Sequence, residues 1–84
     1  MGNACRQLHV RFFAVLREQA GCSALELESA APTPAALYAE LQASHALTFP
    51  AALVRVSVNE RYADMAAPLA DGDRVVFIPP VAGG

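Results

Sequence analysis

Eighty-four residues, 55% hydrophobic and 17% charged, make one small domain with apolar content for a single core and too few charges for a disordered chain. The formal net charge of −2, from six arginines against eight carboxylates with no lysine, argues against a nucleic-acid binder, which needs a basic face to neutralise phosphates. Two cysteines are too few for a zinc cage or for the disulfide framework of a secreted mini-protein, so a soluble cytoplasmic domain is expected.

The chain opens Met1-Gly2-Asn3-Ala4-Cys5, which approaches a lipidation start, but Arg6 stands where a serine or threonine is wanted. No apolar stretch follows to make a signal peptide. Residues 30–36 and 65–70 are rich in small residues but far short of a membrane span, so no membrane partner is expected.

Residues 8–14 alternate, with Leu8, Val10 and Phe12 on one face and His9, Arg11 and Phe13 on the other, and this period of two predicts a strand. Residues 15–20 show no such pattern and are too long for a tight hairpin loop; residues 21–23 then carry a turn signal. A second, antiparallel strand is expected at 24–29, where Leu25 and Leu27 oppose Glu26 and Glu28. Thr33 is a good helix N-cap with Pro34 at the first helical position. Residues 35–44 then carry Leu37 and Leu41 on one face, with Tyr38 and Leu47 nearby, until Pro50 closes the region. Val54, Val56 and Val58 alternate with Arg55, Ser57 and Asn59 in a third strand. Asn59-Glu60-Arg61 turns into a short extended piece at Tyr62, and Asp71-Gly72-Asp73 turns into a final strand at 74–78 that Pro79-Pro80 ends.

The order predicts an α+β domain, with one main helix against a mixed sheet of four to five strands and the first and last strands side by side and parallel. Its inward set is Leu8, Val10, Phe12, Leu37, Leu41, Val54, Val56, Val58, Val75 and Phe77. The domain is expected to span residues 1–78, leaving 79–84 as a flexible tail.

Little in the chain suggests catalysis by its own side chains. His9 and His45 lack any metal-ligand spacing, Cys5 and Cys22 form no Cys-x-x-Cys pair, Glu26 and Glu28 read as a solvated strand face, and no glycine-rich loop opens a helix. No metal site or bound cofactor is expected.

The tail, Pro79-Pro80-Val81-Ala82-Gly83-Gly84, is different. Paired terminal glycines read on composition alone as a frayed end. Here Pro79-Pro80 fixes φ and sets an extended exit, while Gly83-Gly84 has no Cβ and fits a channel too narrow for other residues. Six extended residues reach about 20 Å, enough to enter a partner's active site while the globule stays outside. Such a tip suits delivery of a terminal carboxylate. Adenylation with ATP would turn that poor electrophile into one with a good leaving group, and a sulfur donor could then form a thiocarboxylate.

Val10-Arg11-Phe12-Phe13-Ala14 with Leu16-Arg17-Glu18, the helix from Pro34 to Leu41, and Leu69-Ala70-Asp71-Gly72-Asp73 followed by residues 75–84 resemble the small, sulfur-carrying subunits of molybdopterin synthase. The resemblance covers residues 8–84. It implies a ubiquitin-like β-grasp fold and a terminal Gly84 that a ubiquitin-activator-like enzyme adenylates with ATP before a sulfur donor converts it to the thiocarboxylate. It implies a large subunit that accepts the tail and moves the sulfur onto cyclic pyranopterin monophosphate, with two small and two large subunits in a heterotetramer. By the same resemblance Gly83 is the slim approach to Gly84, and Phe13, Tyr62 and Ile78 match positions that contact the large subunit. Strand alternation independently puts Phe13 and Ile78 on the outward face, with Tyr62 expected beside them. Two related readings stay open, a thiamine-thiazole type sulfur carrier and a ubiquitin-like modifier joined to targets through Gly84, and so does a plain interaction module with an incidental tail.

Overall fold

The structure, a computed structural model, describes residues 5–80. Among these residues the elements run β1 (Arg6–Phe12), α1 (Val15–Ala20), β2 (Ala24–Ser29), α2 (Pro34–His45), β3 (Arg55–Val58), β4 (Arg61–Ala63) and β5 (Arg74–Ile78), with one 3-10 turn at Ala51–Leu53 ahead of β3. The strands form a single mixed sheet in the order β2-β1-β5-β3-β4. β1 and β5 are parallel, with Val10 beside Val75 and Phe12 beside Phe77, and the other pairings are antiparallel. This is the β-grasp arrangement expected from the sequence.

The alternation of β1 and β5 sends Leu8, Val10, Phe12, Val75 and Phe77 to the face covered by α2, whose Leu37, Tyr38 and Leu41 complete the buried layer. Phe77 lies at its centre, stacked on Phe12 at 6.4 Å between ring centroids and met edge-on by Tyr38 at 5.2 Å. The helix starts as its sequence dictates, the Thr33 hydroxyl accepting from the Ala36 N–H at 3.2 Å with Pro34 in the first turn.

Several details depart from the sequence-based expectation. Val58 packs against the core but is only half-buried, because it lies at the end of a short β3 beside the exposed Arg61. Leu16, Ala31, Tyr38, Leu47 and Leu69 are buried as well, from helices and connections rather than from alternating strands. Residues 15–20, in which no element was foreseen, form helix α1, with Leu16 as its buried side chain. The chain enters α1 through a turn closed by the Leu16 N–H on the Phe13 carbonyl at 3.1 Å. Ala14 there has φ 54° and ψ −127°, a conformation that glycine adopts more readily and that strains other residues by about 1–3 kcal/mol. Gly21, at φ 79°, ends α1 by donating to the Arg17 carbonyl at 3.0 Å.

The Asp71-Gly72-Asp73 turn fixes the start of β5 against two neighbours. The Gln7 N–H donates to the Asp71 carboxylate at 2.7 Å, and the Gly72 N–H donates to the Gln7 carbonyl at 2.7 Å. Asp73, buried, accepts from the Ala70 N–H at 2.8 Å and from the Asn59 side-chain amide at 2.9 Å, and Asn59 in turn accepts from the Arg74 N–H at 3.0 Å. The buried Asp73 carboxylate is thereby satisfied, as the interior requires.

The connection from α2 to β3 is pinned from two sides. Gln19 of α1 accepts from the backbone N–H groups of Thr48 (3.0 Å) and Phe49 (3.2 Å) and donates to the Thr48 hydroxyl (2.9 Å). The Phe49 carbonyl accepts from the Tyr38 hydroxyl at 2.8 Å and from the Gln42 amide at 3.4 Å. Replacing Gln19 by leucine removes both acceptor bonds and is expected to lower stability by about 1–2 kcal/mol in urea titration, whereas Gln19→Glu keeps the two backbone contacts and retains most of it. Burial raises the Tyr38 pKa, which favours the protonated phenol in the folded state. Its contribution is therefore complete below the unfolded-state value of about 10 and is lost as pH rises past it. Tyr38→Phe is expected to lower stability by about 0.5–1.5 kcal/mol near neutral pH and to shrink the alkaline loss, both read from urea midpoints.

Candidate functional site

Val81, Ala82, Gly83 and Gly84, the tip of the expected tail, lie outside the described residues. The site that can be described is the root from which they continue. β5 ends at Ile78; Pro79 is buried and Pro80 exposed. Because Phe77 faces the core, Ile78 faces outward, and because Phe12 is in register with Phe77, Phe13 leaves β1 next to Ile78. The turn at Ala14 carries the chain away into α1 and leaves the Phe13 side chain 46% exposed.

These residues line one groove of about 580 Å³, with Phe13, Ala14 and Val15 on one side, Ile78, Pro79 and Pro80 on another, and Phe49 completing it. Every side chain in this wall is hydrocarbon. None can donate, accept or titrate, so the groove can bind and position an apolar partner surface but supplies no acid, base or nucleophile. Pro80 is also a wall of a second, smaller depression formed with Ala52, Leu53, Val54 and Arg55. Leu53 is 54% exposed there. The groove on the Phe13 side is thus contiguous apolar surface, more than the scattered single hydrophobes an ordinary surface carries, while the Leu53 side mixes apolar residues with Arg55.

Phe13 and Ile78 meet as the alternation predicts. Tyr62 does not join them. It lies on β4 opposite Ser57, so β3 separates it from β5, and it lines another depression with Arg55, Asp64 and Met65. It remains the most exposed large hydrophobic of the described residues, at 78%. Sequence reasoning passed over Phe49 and Leu53, because a loop has no period to reveal which way a side chain points. The adjoining Phe49-Pro50 pair was the available signal, an aromatic next to a residue that fixes the backbone.

The remaining candidates are dispersed. His9 pairs with Glu26 across β1 and β2 at 3.3 Å, and His45 shares a hydrogen bond with Ser44 at 2.8 Å. Cys5 and Cys22 are both free thiols. Among the described residues no three His, Cys, Asp or Glu side chains are grouped to hold a metal ion, and no helix is long and apolar enough to cross a membrane.

Known proteins share this arrangement. The molybdopterin synthase sulfur carrier subunit of Escherichia coli (strain K12) is 38% identical over 80 residues, covering 92% of this chain and 99% of that protein. A chain from a solved complex of subunits 1 and 2 of the molybdopterin-converting factor of Helicobacter pylori 26695 superposes with a TM-score of 0.66 at 28% identity, covering 93% of this chain and 99% of that one. The Caldiarchaeum subterraneum ubiquitin matches with a TM-score of 0.63 at 24% identity over 96% of this chain and 100% of that one, which shows a shared ubiquitin-like fold and nothing more. The model of the ThiS family matches residues 10–84, from the middle of β1 through the final glycine. A match of that extent, together with a relative at 38% identity over nearly the whole chain, settles the kinship: this chain belongs to the ThiS family.

Proposed function

We propose that this chain is the sulfur carrier subunit of a molybdopterin synthase. The observation that carries the reading is the near-full-length likeness to the E. coli sulfur carrier subunit. The geometry supports it through the apolar groove at the root of the tail, which offers docking surface without chemistry of its own. In this reading Gly84 is the cargo-bearing residue. Its carboxylate oxygen attacks the α-phosphorus of ATP on a ubiquitin-activator-like adenylating enzyme, and pyrophosphate leaves. Sulfur from a donor then bonds to the acyl carbon as AMP departs, leaving a thiocarboxylate. Gly83 lets that end pass a narrow channel, and residues 79–84 span about 20 Å when extended.

The large subunit receives the tail and catalyses transfer of the sulfur to cyclic pyranopterin monophosphate, building the dithiolene of molybdopterin. The small subunit holds no cofactor, and ATP is consumed on the activating enzyme. The work takes place in the cytoplasm, within a heterotetramer of two small and two large subunits. The apolar groove supports this partition of roles, in which this chain binds and presents and catalytic groups come from its partners.

Intact-mass measurement after incubation with the adenylating enzyme, ATP and a sulfur donor tests the reading. Replacement of one oxygen by sulfur at Gly84 is the expected result. Conjugates with other proteins would reassign the chain as a modifier, and an unchanged mass would leave it a binding module. Phe13→Ala is expected to weaken large-subunit binding by about 1–3 kcal/mol in calorimetry while leaving the fold intact, since the side chain is half in solvent.

A further inference from the structure

The outer face of the sheet, away from α2, is electrically uneven along its strands. Toward the end far from Pro79, carboxylates outnumber the basic groups: His9 contacts Glu26 at 3.3 Å and Arg74 pairs with Glu60 at 3.6 Å, and Glu28 adds a further carboxylate on β2. At the end where Pro79 leaves, the outward positions are Arg11 on β1, Val76 and Ile78 on β5, and Arg55 on β3. Arg11 and Arg55 are exposed, and among the described residues neither makes an ion pair or a side-chain hydrogen bond. Asp64 follows β4 and lines the same depression as Arg55 without pairing with it, one of its carboxylate oxygens accepting from the Ala66 N–H at 2.8 Å. Two guanidinium groups without a direct ion pair thus stand one on each strand flanking the strand that leads into the tail, with Glu26 in the same depression as Arg11 and Asp64 in the same depression as Arg55.

We propose that Arg11 and Arg55 are electrostatic contacts for the large subunit, and that the surface receiving the tail carries carboxylates opposite them. This rests on the sulfur-carrier reading above and adds to it the chemistry of the partner's rim. Guanidinium forks suit carboxylates, which they grip with two parallel hydrogen bonds. Phe13 and Ile78 supply the apolar contact between them, while charges at the rim act at longer range and raise the rate of productive encounter. Both arginines sit on the tail side of the sheet, so attraction there would orient the tail toward its receiving site before contact is made.

Association kinetics of the full chain with its cognate large subunit, followed across ionic strength, test this. The wild-type rate constant is expected to fall as salt is added. R11E/R55E is expected to associate at least about tenfold more slowly at low salt and with a flatter salt dependence, and R11Q/R55Q to fall between the two. Far-UV circular dichroism should be unchanged in both, and E28Q, opposite Gln7 toward the far end of the sheet, should behave as wild type. Wild-type rates and salt dependence in R11E/R55E would overturn the proposal while leaving normal sulfur loading of Gly84 to uphold the carrier reading. Failure of the wild-type chain to bind the large subunit at all would overturn both.

Discussion

The parallel ladder between β1 and β5 is the constraint on which the rest of the molecule depends. It brings the beginning and end of the chain to the middle of one sheet and aligns Phe12 with Phe77. That register decides two faces at once. Inward, Phe77 meets Phe12 and Tyr38; outward, Ile78 comes beside Phe13. Because side chains alternate with a period of two, a slip of one residue would send Phe77 to water and Ile78 into the core. The contacts of Asp71, Gly72 and Asp73 with Gln7, Ala70 and Asn59 prevent that slip by tying the first residue of β5 to β1 and to the turn between β3 and β4. The aspartate pair of this turn acts, in the fold, as a register lock.

Much of this was legible in the sequence where the physics is local or periodic. Alternation located β1, β2, β3 and β5, and Thr33-Pro34 located the start of α2, because a capping hydroxyl and a fixed φ act within one turn of helix. The apolar pairing of Phe13 with Ile78 followed from alternation once the two strands were placed together. Helix α1 was not legible: six residues are too short to show a helical period, no side chain caps it, and the turn before it uses an alanine where a glycine would have announced a positive φ. The Gln19 clamp on Thr48 and Phe49 joins residues about thirty positions apart, and no spacing rule reports such a contact. The distance of Tyr62 from Ile78 was not legible either, because the sheet order, with β3 between β4 and β5, is a property of the whole topology.

The site inherits this division. Its position depends on strand pairing, its shape on loops. Phe49 reaches the groove only because helix α1 and helix α2 hold its backbone from opposite sides, through Gln19 and Tyr38. A surface devoid of polar walls and assembled from three separate segments is suited to recognising shape, which fits the carrier role proposed above.

The side-by-side placement of the two outermost strands in sequence also has a mechanical consequence. β1 begins at one edge of the sheet's length and β5 ends at the other, so tension between the amino end and the tail runs along the two strands in opposite senses. Their cross-links are then loaded in shear, sharing the strain together instead of peeling open one after another. A force that drew the chain onward from Pro80 would thus be shared by the whole β1–β5 ladder.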